Sequence, residues 1–181
     1  MKNRFVHYGA VLLIIAAVSA GVLGAVNDFT KTVIQENELK TVNQARMKVL
    51  SVAKSFKQDE AVTTEGLEFI PGYNEGGELV GYVTTVAQPG YGGDIKWVMG
   101  ITKDGKIAGM DIIGCQETPG LGAKVQEREW QDHWIGEDKT HEFNKSVDAF
   151  AGATISPKAV YDGLMRTLTC LLYTSDAADE L

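Results

Sequence analysis

The chain has 181 residues, 44% of them hydrophobic and 23% charged, and a formal net charge of −7. This composition excludes a basic nucleic-acid-binding protein and a disordered low-complexity chain, and the length suits one domain with an appendage. Two cysteines, Cys115 and Cys170, are too few for a disulfide framework, an iron–sulfur cluster or a four-thiolate zinc site. Twenty glycines against four prolines indicate tight turns and close backbone approach.

An uncharged apolar run occupies residues 8–26 near the N-terminus. As a helix it would be about 28 Å long, close to the hydrocarbon thickness of a bilayer. Because Lys2 and Arg4 precede the run, the positive-inside rule predicts that residues 1–7 are cytoplasmic, that 8–26 spans the membrane once, and that the rest is extracytoplasmic. The alternative is a cleaved signal peptide, which we disfavour because the run is longer than usual for one. The expected location is the inner or plasma membrane.

A long amphipathic helix is predicted within residues 27–57, because apolar side chains recur at helical spacing between residues 29 and 56 without Pro or Gly. Three β-rich runs follow at residues 79–86, 95–102 and 107–114. A hairpin turn at residues 103–106 joins the last two, so the runs predict an antiparallel sheet.

Residues 123–134 are predicted as a short polar helix and residues 143–150 as an extended stretch. Ser156 and Pro157 suit the N-cap and first turn of a final helix. The predicted fold class is α+β, with a single N-terminal transmembrane helix and one domain at residues 58–169 that combines a Gly-rich antiparallel sheet with flanking helices.

The C-terminal segment, residues 170–181, breaks the amphipathic pattern before it. Its string CLLYTSDAADE resembles the translation of a transposon-end sequencing adapter. We expect it to be an artefact foreign to the protein, and a short natural tail is the alternative.

A small-residue loop reading DAFAGATIS, residues 148–156, lies directly before the final helix. Gly152 permits a tight turn, and Ala151 and Ala153 keep the loop compact. Thr154 places a hydroxyl beside a helix N-terminus, where free N–H groups favour a phosphate. On these grounds alone an ordinary helix cap is the better interpretation, since such loops are common.

The pattern D-x-x-A-G-A-T at residues 148–154 resembles the flavinylation motif of the FMN-binding domain found in the G subunit of Rnf complexes and the C subunit of sodium-translocating NADH:quinone reductases. The run ETPGLG at residues 117–122 resembles a second signature of that domain, which lies against the flavin. The resemblance implies FMN attached covalently through its phosphate to the side-chain oxygen of Thr154. It implies FAD as the donor, a separate magnesium-dependent flavin transferase, and Asp148 and Gly152 as part of the pattern that the transferase reads.

We choose the candidate cofactor-binding residues from this resemblance and from what an isoalloxazine ring requires. The ring requires flat apolar contacts, backbone groups that can approach it closely, and nearby charges. Tyr91 and Leu121 are candidate ring contacts, and Glu117 and Lys124 are charges that could tune the flavin or be ordinary surface charges. The full set is Thr154, Asp148, Ala151, Gly152, Ala153, Ser156, Glu117, Thr118, Pro119, Gly120, Leu121, Gly122, Tyr91 and Lys124. No catalytic residue is expected.

No metal site is expected. His133 and His141 lie in an acidic stretch without metal-ligand spacing, which is more typical of a solvated helix face. Cys115, beside the ETPGLG run, is expected to be a buried structural thiol.

The resemblance implies an electron-carrying flavoprotein subunit of an Rnf-type membrane complex, which moves electrons between ferredoxin and NAD and exports sodium or protons. Expected partners are the other membrane subunits and the flavin transferase. We expect no binding of nucleic acid, no direct binding of NAD and no catalytic turnover by the isolated chain. Two alternatives stay open. One is the quinone-reductase C subunit, usually a longer chain, and the other is a non-redox membrane docking module.

Overall fold

The computed structural model describes residues 2–179, with side chains for residues 4–172. The chain divides into two units, Met1–Lys40 and Thr41–Leu181. The first unit is helical and forms most of α1 (Lys2–Val49).

A strongly apolar segment makes α1 a candidate membrane-spanning helix. Its mean hydropathy over 18 residues is 2.5, and in the isolated chain this segment is exposed. Between residues 2 and 179, α1 is the one helix long and apolar enough to cross a membrane, and it contains the predicted span 8–26. The helix ends at Val49, so the prediction of helix up to residue 56 was wrong, and Ser55–Phe56 is a short strand instead.

The second unit is built on an antiparallel sheet. Its strands are β1 (Ser55–Phe56), β2 (Val62–Thr64), β3 (Leu67–Tyr73), β4 (Leu79–Pro89), β5 (Asp94–Thr102) and β6 (Ile107–Gly114). Their order in space is β1-β3-β4-β5-β6, with β2 paired to β3. The three predicted strands are confirmed as β4, β5 and β6.

Side chains alternate across this sheet, so its two faces belong to different hydrophobic cores. On β5, Trp97 and Met99 pack in one core with residues of the last helix, α3 (Ile155–Asp179), while Val98 packs in the other with Val49 at the end of α1. Each face of the sheet is therefore covered by a helical segment.

The segment between β6 and α3 is less regular than predicted. It contains a 3-10 helix, Gly122–Gln126, and the short α2 (Arg128–Asp132), because Glu127 between them has an extended backbone. The prediction of one continuous helix at 123–134 was thus wrong, because the segment forms two short helices. The extended stretch predicted at 143–150 was also wrong, since these residues form turns and irregular chain that end in an isolated bridge between Phe150 and Ala153.

The last helix begins earlier and ends later than predicted. α3 starts at Ile155, so Ser156, the predicted N-cap, lies inside the first turn. The helix continues to Asp179, and Cys170 and Leu171 are buried in the core. The pattern break at residue 170 therefore does not end the helix, and the foreign origin of the segment stays a prediction.

Candidate functional site

A cavity of about 540 Å³ opens where three parts of the second unit meet: the β4–β5 turn, the loop after β6 and the start of α3. Its volume is in the range of small-molecule and cofactor sites. The residues that line it are Tyr91, Glu117, Thr118, Leu121, Gly122, Gly152, Ala153, Thr154, Ile155 and Ser156. Two motifs that are about 30 residues apart in sequence thus form one site.

Glu117 ties these three parts together. Its side chain is 7% exposed, and its Oε1 accepts hydrogen bonds from the backbone N–H groups of Tyr91 (2.8 Å) and Gly92 (3.1 Å). Its Oε2 accepts from the hydroxyl of Ser156 at 2.8 Å. Charged acceptors of this kind make the stronger class of hydrogen bond. Glu117 is therefore a buried positioning residue and not an ordinary surface charge.

Two glycines leave room for this arrangement. A Cβ on Gly122 would lie 2.6 Å from Glu117 Oε2 and closer still to Ser156 Oγ. A Cβ on Gly90 would collide with Glu117 Oε1. Any side chain at either position would push the carboxylate out of place, which gives part of the glycine excess a structural role.

Thr154 lies at the edge of the cavity, one residue before α3, and is exposed. Its carbonyl accepts the hydrogen bond of Lys158 N–H at 3.1 Å, so Thr154 is at the boundary of the first helical turn. Gly152, with φ of +81°, makes the turn that brings it there. Thr154 therefore directly precedes the first-turn N–H groups of α3, which have no acceptor within the helix.

The cavity gathers most of the candidate residues but not all of them. Those outside its lining are Asp148, Ala151, Pro119, Gly120 and Lys124. Lys124 instead places its Nζ 5.8 Å from the ring centroid of Phe150. Ile155 lines the cavity and was missed by the sequence analysis, although its position directly after Thr154 could have indicated it.

Asp148 lies in a separate cluster with two histidines. Its carboxylate is 1% exposed, with Oδ1 2.8 Å from His133 Nε2 and Oδ2 3.0 Å from His141 Nε2. Asn144 N–H also donates to Oδ2 at 2.7 Å, and the indole of Trp130 donates to the Asp148 carbonyl at 2.9 Å. The Asp148 side chain is thus enclosed, and its contacts hold the start of the loop in place.

The expectation that the two histidines lie on a solvated acidic face was wrong. Both are partly buried, and both contact the Asp148 carboxylate. The chain between them consists of turns and irregular segments, so neither helical nor strand periodicity signalled this contact.

The charges of this cluster shift two pKa values. Burial raises the pKa of Asp148, but the Asn144 N–H and the two imidazoles outweigh burial, and the pKa lies below its ordinary value. Burial lowers the pKa of His141, but hydrogen bonds with Asp148 and Glu137 outweigh it, and the pKa is raised. Both shifts favour the charged forms, because an ionised Asp148 and a protonated His141 stabilise each other.

Comparison with known proteins identifies two matching family models. The FMN-binding domain matches residues 90–169, and the RnfG N-terminal region matches residues 1–49. The cavity and the flavinylation-like loop both lie within the first match.

Full-length relatives agree with these matches. The G subunit of the Na⁺-translocating ferredoxin:NAD⁺ oxidoreductase complex of Acetobacterium woodii is 34% identical over 179 residues, which covers 86% of this chain and 86% of that protein. The G subunit of the ion-translocating oxidoreductase complex of Shewanella piezotolerans is 28% identical, covering 88% of this chain and 85% of that one.

Among solved structures, the C subunit of the Na⁺-translocating NADH-quinone reductase from Parabacteroides distasonis aligns with a TM-score of 0.49 and 20% identity over 74% of this chain and 86% of that one. The chain belongs to the family of G subunits of ion-translocating oxidoreductase complexes, and it is an electron-transport subunit with an FMN-binding domain.

Proposed function

We propose that this chain carries electrons through an FMN esterified by its phosphate to the hydroxyl oxygen of Thr154. One observation carries the proposal: the exposed Thr154 lines a cavity of about 540 Å³, inside the part of the chain that matches the FMN-binding domain. Loop, helix start and cavity all lie within a single unit.

The residues present fit such a group. The Thr154 oxygen and the first-turn N–H groups of α3 would hold the phosphate, which the positive end of the helix dipole stabilises. Tyr91, Leu121 and Ile155 expose apolar surface at the cavity and would contact the ring. When bound, FMN supplies the redox chemistry, and the chain supplies binding and orientation.

Attachment would be a phosphoryl-type transfer from FAD, catalysed by a separate magnesium-dependent transferase. The Thr154 oxygen forms a new bond to the phosphorus on the flavin side of FAD. The bond from that phosphorus to the bridging oxygen breaks, AMP leaves, and the hydroxyl proton passes to a base of the transferase. The exposure of Thr154 supports this route, since a second protein must reach its hydroxyl.

The enclosed Asp148 side chain would serve the same step indirectly. At 1% exposure it offers a transferase no direct contact, so its place in the motif is best explained by the fold of the loop that presents Thr154. Gly152 acts in the same way through its backbone conformation.

In the complete assembly, we place the chain in an Rnf-type complex between ferredoxin and NAD, with other membrane subunits as partners. Residues 1–7 would be cytoplasmic, residues 8–26 would anchor the chain, and the FMN-binding domain would be extracytoplasmic. Lys2 and Arg4 before the apolar run support this orientation.

Covalent attachment can be tested by coexpressing the full chain with a flavin transferase and looking for flavin fluorescence in a denaturing gel. We expect a fluorescent band for the wild type, a weaker one for Thr154→Ser and none for Thr154→Ala. Thr63→Ala is the matched control and should leave the fluorescence unchanged, because Thr63 is exposed and does not line the cavity. A dark wild-type band, or fluorescence that survives Thr154→Ala, would overturn the proposal.

A further inference from the structure

The cluster around Asp148 brings metal-ligating atoms of three residues to one point. His133 follows α2, while His141 and Asp148 come from the irregular chain after it, and their ligand atoms all lie within 4.8 Å of one another. Two imidazole nitrogens with one carboxylate form a donor set that suits zinc and other divalent transition ions.

Glu137 supplies the second feature expected around a metal-binding histidine. Its Oε2 lies 2.8 Å from His141 Nδ1, so it fixes the proton of the ring on Nδ1 and leaves the Nε2 lone pair for a ligand. That Nε2 faces Asp148 Oδ2. With Nδ1 already committed to one carboxylate, a second carboxylate at Nε2 requires either a second proton or a cation between them.

The charges also balance around a divalent cation. Asp148 and Glu137 contribute two negative charges at this point, and neutral imidazoles contribute none. An ion of charge +2 would neutralise both carboxylates. The Asp148 carboxylate is in addition held in place by Asn144 N–H, so one ligand is already oriented.

Solvent has access to the cluster on one side. The His133 side chain is 32% exposed and lines a second cavity of about 280 Å³ together with Glu127, Glu129, Trp130, Val147 and Phe150. This opening gives an ion a path to the site and leaves room for a water as a further ligand.

We propose that His133, His141 and Asp148 bind one divalent transition-metal ion of the zinc class, with Glu137 orienting His141. Bound there, the ion would join the segment after α2 to the loop that leads to Thr154, and would hold that loop in one conformation. The site is distinct from the cavity at Thr154 and does not depend on flavin, so it reverses the expectation of no metal without altering the proposed function.

The test uses the full chain in detergent, without a histidine tag or flavin, stripped by a chelator and titrated with Zn²⁺ alone. We expect one equivalent to bind saturably and to raise the melting temperature. His133→Gln, at a partly exposed position that should not disturb folding, should weaken binding more than about 100-fold, and Glu137→Gln about 10-fold to 100-fold. His7→Gln, outside the cluster, should leave affinity unchanged.

Two further readouts separate a built site from loose surface binding. Co²⁺ in place of Zn²⁺ should give d–d absorption that His133→Gln abolishes, and nitrogen NMR should detect Zn²⁺ at the Nε2 atoms of His133 and His141. Absence of saturable binding at one equivalent, or equal affinity in His133→Gln and wild type, would overturn the proposal. So would a His141 ring that stays doubly protonated when Zn²⁺ is present.

Discussion

Two buried carboxylates hold the functional part of this molecule, and they do so by different chemistry. Glu117 accepts hydrogen bonds from two backbone N–H groups and one hydroxyl, all of them neutral donors. Asp148 accepts one backbone N–H but faces two imidazoles, one of which has a raised pKa. Among the described residues, Glu117 has no ion-pair partner, whereas Asp148 contacts two histidines.

The two carboxylates therefore have different roles: Glu117 shapes the cavity, and Asp148 fixes the loop that leads to Thr154. Glu117 borders the cavity and leaves a negative charge beside the place where the flavin would lie. Asp148 lies outside that cavity and has its charge balanced within its own cluster. Removal of the charge should therefore be costly at Asp148 and mild at Glu117, although both side chains are buried.

The largest effect is expected for Asp148→Asn. Breaking a buried ion pair by removing one partner costs about 3–5 kcal/mol, and partial exposure of His141, the partner with the raised pKa, puts this case at the lower end, about 3 kcal/mol. The amide would also turn a donor toward an imidazole N–H. Urea unfolding of the full chain in detergent with chelator, followed by tryptophan fluorescence, measures the loss. A loss below about 1 kcal/mol would mean that the charge is not needed for this fold.

The next largest effect is expected for Gly122→Ala. The new Cβ would enter the space between Ser156 Oγ and Glu117 Oε2 and separate them, at a cost of about 2 kcal/mol, within the range for overpacking. Flavin attachment should fall with it, because the cavity changes shape. Gly114→Ala is the matched control, since its Cβ would meet only Lys96 Cβ at 3.4 Å and should change the free energy of unfolding by less than about 0.5 kcal/mol.

Glu117→Gln is expected to cost only about 1–2 kcal/mol. The amide carbonyl can keep the bonds to Tyr91 and Gly92, and its NH₂ can donate to Ser156 Oγ, so charge-assisted bonds become neutral ones without loss of the network. The same unfolding experiment compares the loss of unfolding free energy in this variant with that in Asp148→Asn. If Glu117→Gln proved the more destabilising of the two, the contrast between the carboxylates would be wrong.

Lys124→Ala should have the smallest effect. Its ammonium lies 5.8 Å from the Phe150 ring centroid, and a partly exposed cation–π contact contributes about 0.5 kcal/mol. Lys145→Ala, an exposed lysine, is the comparison variant. A loss of flavin attachment in Lys124→Ala but not in Lys145→Ala would instead assign Lys124 a role at the site.

Regular alternation explains which strands the sequence could predict. β4, β5 and β6 show β-rich runs with hairpin signals and were predicted, whereas β3 contains Pro71 and Gly72, which weaken a strand pattern. The helix boundary at Val49 was missed because the apolar spacing continues beyond it. The chain turns there so that Leu50 can pack near Gly72, where a Cβ would lie 2.9 Å from Leu50 Cδ2, and this contact is not visible in a local pattern.

The candidate site also has parts that the sequence could predict and parts that it could not. The two loops could be found from the sequence because each is a short contiguous motif, and the structure brings both to one cavity. The His133 and His141 contacts to Asp148 depend on irregular chain whose path no periodicity describes. Glu117 was singled out as a charge near the flavin, but its bonds to the β4–β5 turn and to α3 required the three-dimensional arrangement.

Covalent attachment at Thr154 is tested most directly by mass spectrometry of the peptide that contains this residue, from chain coexpressed with the transferase. We expect a mass increase equal to FMN minus water, located by fragmentation on Thr154 and absent from Thr154→Ala. An unmodified Thr154 peptide from chain that still carries flavin, or the same modification on Thr118 or another residue, would contradict attachment at Thr154.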